Sequence, residues 1–206
     1  LPTNGVFTST YNSTLNYGVF LSYPFFFIFF QIFILVFTVY AIGTDMGKQW
    51  LSKASGSIVK GVGKKMLPYT SIFIMEAIIA NFTFFCIMGI PFHGSLFAAN
   101  ISSILLVIAS VALGCAIISL IPKTAVAISI ASMIGALGAT ASGVTFPIEN
   151  MYPAFRIICS LFPIRHFILA NQALLYNEAG FGYSWENYSF LLIGTGICIA
   201  TLPLLK

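Results

Sequence analysis

Phe20-Leu21-Ser22-Tyr23-Pro24-Phe25-Phe26-Phe27-Ile28-Phe29-Phe30-Gln31-Ile32-Phe33-Ile34-Leu35-Val36-Phe37-Thr38-Val39-Tyr40-Ala41-Ile42 is the stretch whose reading decides the fold. It holds no charged residue and meets the run of about 20 apolar residues that a helix needs to cross a bilayer. Four more runs follow, at 67–92, 96–121, 125–147 and 187–205. Across the 206 residues, 59% are hydrophobic and 7% charged, against roughly a quarter charged in a soluble domain. The pattern predicts an all-α membrane protein with about five transmembrane helices.

The breaks between runs set the orientation. Lys48, Lys53, Lys60, Lys64 and Lys65 fall between the first two runs, Lys123 between the third and fourth, and Lys206 after the last. The alternate connections hold only Arg156 and Arg165. The positive-inside rule then places the lysine-rich connections, and Lys206, in the cytoplasm and residues 1–19 outside. An outside start without a signal peptide is awkward, because residues 1–17 are polar and rich in Thr, Asn and Ser. The expectation is that an earlier span, with or without an external domain, preceded Leu1.

Other function classes find little support. The net charge is +4, but the basic residues form no continuous stripe with aromatic interleaving, which sets nucleic acid aside as a partner. Cys86, Cys115, Cys159 and Cys198 are scattered without C-x-x-C spacing and read as small hydrophobes. Gly56-Ser57-Ile58-Val59-Lys60-Gly61 superficially suggests a phosphate-binding loop. Val62 then stands where Lys is required, and Lys64 is followed by Lys65 instead of Ser or Thr. No nucleotide site of that type, and no other cofactor or metal site, is expected in the chain.

Four segments are candidates for function. In the Gly43–Met66 connection, Trp50, Ala54, Ile58, Val62 and Met66 recur every fourth residue, as in an amphipathic helix lying on the membrane surface. That helix is either a basic loop that fixes topology or a docking surface for a cytoplasmic partner. The fourth run pairs small residues at small-xxx-small spacing, Gly135 with Ala139 and Ala139 with Gly143, with Gly138 between them. Such a face serves packing within one bundle, a subunit interface or a lining that repacks during transport. Glu76 lies inside the second run, where an acidic group is costly unless neutral or paired, and Asn81 is its candidate hydrogen-bond neighbour. Finally, 148–186 contains two short apolar pieces, Met151–Phe162 and Ile164–Tyr176, split by Pro163. They read as half-helices dipping into the outer leaflet.

Taken together these features resemble the type 2 ATP-binding-cassette (ABC-2) permeases, membrane subunits of mostly bacterial exporters. The likeness rests on Gly43-Thr44, the surface helix from Trp50 to Val62, Gly63-Lys64, and the turn Pro91-Phe92-His93-Gly94-Ser95. It rests also on Ser142-Gly143-Val144-Thr145-Phe146-Pro147, Glu149-Asn150-Met151, Phe162-Pro163 and His166-Phe167. It covers nearly the whole chain. One departure is Val39-Tyr40-Ala41-Ile42, where the family usually carries acidic and basic residues before its Gly-Thr.

The resemblance implies a six-span subunit of the bacterial cytoplasmic (inner) membrane, surrounded by membrane lipid, of which this chain holds five spans. It implies a cytoplasmic ABC ATPase subunit that binds ATP in the partner, and a second permease copy or close homologue. ATPase coupling falls to Thr44, Asp45, Lys48, Trp50 and Lys53. Pathway or dimer packing falls to Glu76, Asn81, Gly135, Gly138, Ala139 and Gly143, and an outer gate to Pro147, Glu149, Arg156, Pro163 and His166. Two other classes stay open. A proton-coupled carrier would rest on Glu76. A lipid-modifying membrane enzyme would rest on His93, His166, Glu149 and Glu178.

Overall fold

In the computed structural model the described residues are 17–45, 57–90, 94–144, 152–176 and 181–205. They form helices and turns, with no strand among them. Among the described residues five helical segments are long and apolar enough to cross a membrane: α1 (Tyr17–Gly43), α2 (Ile58–Phe82) with its continuation to Ile87, α3 (Leu96–Leu120), α4 (Thr124–Ala141), and α7 (Trp185–Ala200) with its continuation to Leu204. Between α4 and α7 lie α5 (Pro153–Cys159) and α6 (Pro163–Tyr176), bent 92° from one another. A proline opens each of the two, where its missing N–H is one that a helix start leaves unpaired anyway. The all-α membrane fold with two half-helices is therefore present.

α3 forms the core of the bundle, with 72% of its apolar window buried against 17% for the window that contains α7. Its serines would be costly there without partners. Ser102, Ser103, Ser110 and Ser119 each donate to the carbonyl four residues earlier, which satisfies the hydroxyl inside its own helix.

α1 lies between α2, α3 and α4, and each contact has its own chemistry. Against α2 the contact is aromatic: Phe30, Phe33 and Phe37, one helical face of α1, surround Phe73 edge-on at centroid distances of 6.2, 6.0 and 5.5 Å. Against α3 and α4 the backbones come close at glycines. A Cβ on Gly114 would stand 2.8 Å from Thr38 Cβ, and one on Gly135 2.7 Å from Ile32 Cγ1. Such approach is how helices associate where no hydrophobic effect separates protein from lipid.

α2 differs from the sequence expectation. It starts at Ile58, so Val62, Gly63 and Met66 belong to the second long helix instead of a separate surface helix; residues 50–56 of that expected helix lie outside the described residues. Gly61 and Gly63 argue against a helix by propensity, but Gly61, Val62 and Met66 are buried against the bundle, and packing outweighs the weak local preference. The far end of α2 widens into a π turn, Thr83–Ile87, closed by Met88 N donating to Thr83 O at 2.9 Å. That turn brings two successive rings, Phe84 and Phe85, onto Tyr23 of α1 at 5.6 and 5.0 Å. α4 ends at Ala141, and two residues on stands Gly143, whose φ of +84° is a left-handed conformation that glycine adopts without strain.

Candidate functional site

Three helices meet where α1 ends. Thr44 Oγ1 donates to Tyr40 O at 3.0 Å, and the backbone N–H of Asp45 to Ile42 O at 3.1 Å, so the last turn satisfies part of its own carbonyls. Lys65 reaches across from α2 and forms an ion pair with Asp45 Oδ2 at 2.5 Å, while also donating to Ala41 O. On the other side a Cβ on Gly43 would clash with Thr124, the first residue of α4, at 2.5 Å. The foot of α1 is thus wedged between the starts of α2 and α4. Of the five residues assigned to coupling, Thr44 is exposed and Asp45 lies in this junction; Lys48, Trp50 and Lys53 lie outside the described residues.

Nearer the opposite end of α1 is a buried polar network. Tyr23 Oη donates to Asn81 Oδ1 at 3.0 Å and lies within 3.3 Å of Asn171 Oδ1 on α6. Asn81 Nδ2 in turn donates to Asn100 Oδ1 at 2.9 Å and Ser103 Oγ at 3.0 Å, both on α3. One tyrosine, three asparagines and a serine therefore join α1, α2, α3 and α6. A second bond, 2.9 Å between Ser102 Oγ and Tyr188 Oη, adds α7.

Glu76 and Asn81 are not brought together. Five positions apart on a helix, they stand about 140° apart around its axis; Asn81 faces the core and Glu76 is exposed among Ile72, Met75 and Ile79. Glu76 is midway along the helix between Lys65 and Ile87, roughly 16 Å from each at about 1.5 Å per residue.

The small-residue face of α4 is used inside the chain. Gly135 packs on Ile32 of α1, and Gly138 faces Ile164 and Phe162 next to the elbow between α5 and α6. Ala139 is half-buried, as is Gly143 just beyond the helix. The other side of α4 is left exposed: Val126, Ser129, Met133, Ala136 and Thr140 repeat at alternating spacings of three and four.

At the elbow His166 is buried. Its Nε2 donates to Ser160 O at 2.8 Å, its Nδ1 lies 3.1 Å from the Asn187 carboxamide oxygen, and its ring stacks on Phe190 of α7 at 4.1 Å. Arg165 Nη1 lies 3.4 Å from the carbonyl of Arg156, which is exposed on α5. Pro163 opens α6, while Pro147 and Glu149 lie outside the described residues, as do His93 and Glu178.

Sequence reasoning missed Lys65, Tyr23, Asn100, Ser103 and Asn171. Lys65 carried a faint signal, as the last cation before a long apolar run. The others are polar side chains inside runs whose partners are far away in sequence.

No curated protein and no solved structure shows a significant match to the chain. A family model described as an ABC-2 family transporter protein matches residues 2–202, so this multi-pass membrane protein belongs to the ABC-2 transporter family as a permease.

Proposed function

We propose that the chain is the permease subunit of an ATP-driven exporter in a bacterial cytoplasmic membrane, moving a hydrophobic or amphipathic substrate such as a drug-like molecule, lipid or glycolipid. A separate ABC ATPase binds the ATP and docks on the 43–66 connection, and a second copy or close homologue completes the passage. The lysine-bearing ends of the helices face the cytoplasm and the elbow of α5 and α6 faces outside.

The observation that carries this reading is the foot of α1. The connection that would receive the ATPase leaves from the helix packed against α2, α3 and α4, and Gly43 and Asp45 touch the starts of two of them. A displacement there reaches most of the bundle without a flexible intermediary. Thr44, Asp45, Lys48, Trp50 and Lys53 then couple the motion, and Pro147, Glu149, Arg156, Pro163 and His166 form the outer gate.

Glu76 supports a passage or a subunit contact beside α2. A carboxylate facing lipid at mid-span costs about 3 kcal/mol, so that face is covered by a second subunit or by a water-filled path. The surrounding Ile72, Met75 and Ile79 suit an apolar cargo. Residues Gly135, Gly138, Ala139 and Gly143 hold α4 so that its open side faces the same partner.

The deciding experiment is purification of the full-length protein from its native membrane. A nucleotide-hydrolysing subunit should accompany it, and its absence would sink the reading. Substituting Trp50 or Asp45 should then lower transport per ATP hydrolysed while the complex stays assembled.

A further inference from the structure

Lys65 is set apart from its neighbours by what it touches. Lys60 and Lys64, on the same turns of α2, are exposed. Lys65 instead folds back along the bundle until its side chain is only 19% exposed, pairing with Asp45, itself 30% exposed. The same ammonium donates to Ala41 O, one of the last carbonyls of α1, where the helix dipole favours a cation. Partial burial shields the pair from the screening that makes exposed ion pairs weak. Asp45 stands at the exit from α1 and Lys65 in the first turns of α2. Together they close the two ends of the connection like a clasp.

We infer that Lys65 is a positioning residue for energy coupling, its clasp to Asp45 and the last turn of α1 making the first and second spans move as one when the connection is displaced. The inference rests on the ATPase-driven reading. Without the clasp, a push on the connection would be absorbed by slack between α1 and α2. The contact of Gly43 with Thr124 would carry part of the same displacement to α4.

The test needs no knowledge of the substrate. In the full-length complex with its ATPase, reconstituted in lipid nanodiscs with the native cysteines replaced, spin labels are placed at the exposed Val59 of α2 and Val126 of α4. Distances are measured with and without Mg-ATP. Wild type should show an ATP-induced shift, K65R should keep it, and K123Q, at an exposed lysine outside the 43–66 connection, should leave it unchanged. K65Q should reduce it at least fivefold while the ATPase stays bound and hydrolysis continues. A K65Q shift equal to wild type would overturn the inference. So would equal losses in K65Q and K65R, or a K65Q complex that sheds its ATPase, since either marks a residue needed only for folding or docking. Absence of an ATPase from the wild-type preparation, or of any shift in it, would instead count against the exporter reading itself.

Discussion

The phenolic hydroxyl of Tyr23 meets the Asn81 side chain at 3.0 Å inside a cage of rings, with Phe27 and Phe85 at 5.0 Å and Phe84 at 5.6 Å. In so apolar a place an unpaired oxygen is costly, so each member of the network depends on the others. Tyr23→Phe keeps the ring packing and removes one donor; it should lower stability by about 1 kcal/mol in detergent unfolding. Asn81→Ala removes the residue that joins α1 to α3 and should cost more, about 2 kcal/mol. An Asn81→Ala melting curve that overlays wild type would contradict the structural role given to the network.

The close helix crossings make a second prediction. Gly135→Val and Gly114→Val should each cost about 1–3 kcal/mol by overpacking, because the new side chains would run into Ile32 and Thr38. Gly194 and Gly196 on α7 have open space where a Cβ would stand, and alanine at either should be close to neutral. Thr38 adds a contrast: its hydroxyl is buried without a partner among the described residues. Thr38→Val, nearly the same shape, should therefore stabilise the protein by about 1 kcal/mol. Thermal unfolding of the purified variants ranks all five.

Glu76 can be probed by accessibility. In a background without native cysteines, Glu76→Cys should react with a charged, water-soluble thiol reagent if the α2 face borders an aqueous passage. It should be shielded only once the second subunit covers it. Ile193→Cys, on the exposed apolar face of α7, should stay unreactive in the bilayer. Equal inertness of both positions in assembled and separated subunits would place Glu76 against lipid and remove it from the passage. Glu76→Gln serves the carrier alternative: transport unchanged across pH would eliminate that class.

At the elbow His166→Phe should preserve stacking on Phe190 while losing the bonds to Ser160 and Asn187. The cost is about 1–3 kcal/mol and mostly local. Hydrogen exchange at residues 157–165 should accelerate by tenfold or more, with little change in α1 and α3. Uniformly faster exchange would mean that the histidine supports the whole bundle instead of the elbow.

What was legible in the sequence follows from which physics is local. Spans are legible because bilayer thickness acts on contiguous residues, and the elbow because Pro163 interrupts a helix by itself. The start of α2 was not. Gly61, Gly63 and the lysines read as a polar break, and only tertiary contact reveals that Gly61 is packed and that Lys65 has Asp45 to pair with. Asn81 was paired in expectation with Glu76, a polar neighbour in the same run, when its partners come from two other helices, α1 and α3. A sequence displays neighbours along one helix, and buried polar groups answer to neighbours across several.

The Tyr23 network also orders the making of the protein. Asn81 is 58 residues beyond Tyr23 in the chain, and Asn171 is 148 residues beyond it. During synthesis the hydroxyl can find its first acceptor as soon as α2 has entered the membrane, while the second does not yet exist. The half-helix α6 is therefore a late arrival that docks onto a surface already formed by α1, α2 and α3. A ribosome halted before residue 171 would leave behind an earlier set of spans, with α7 not yet made and the polar centre still open.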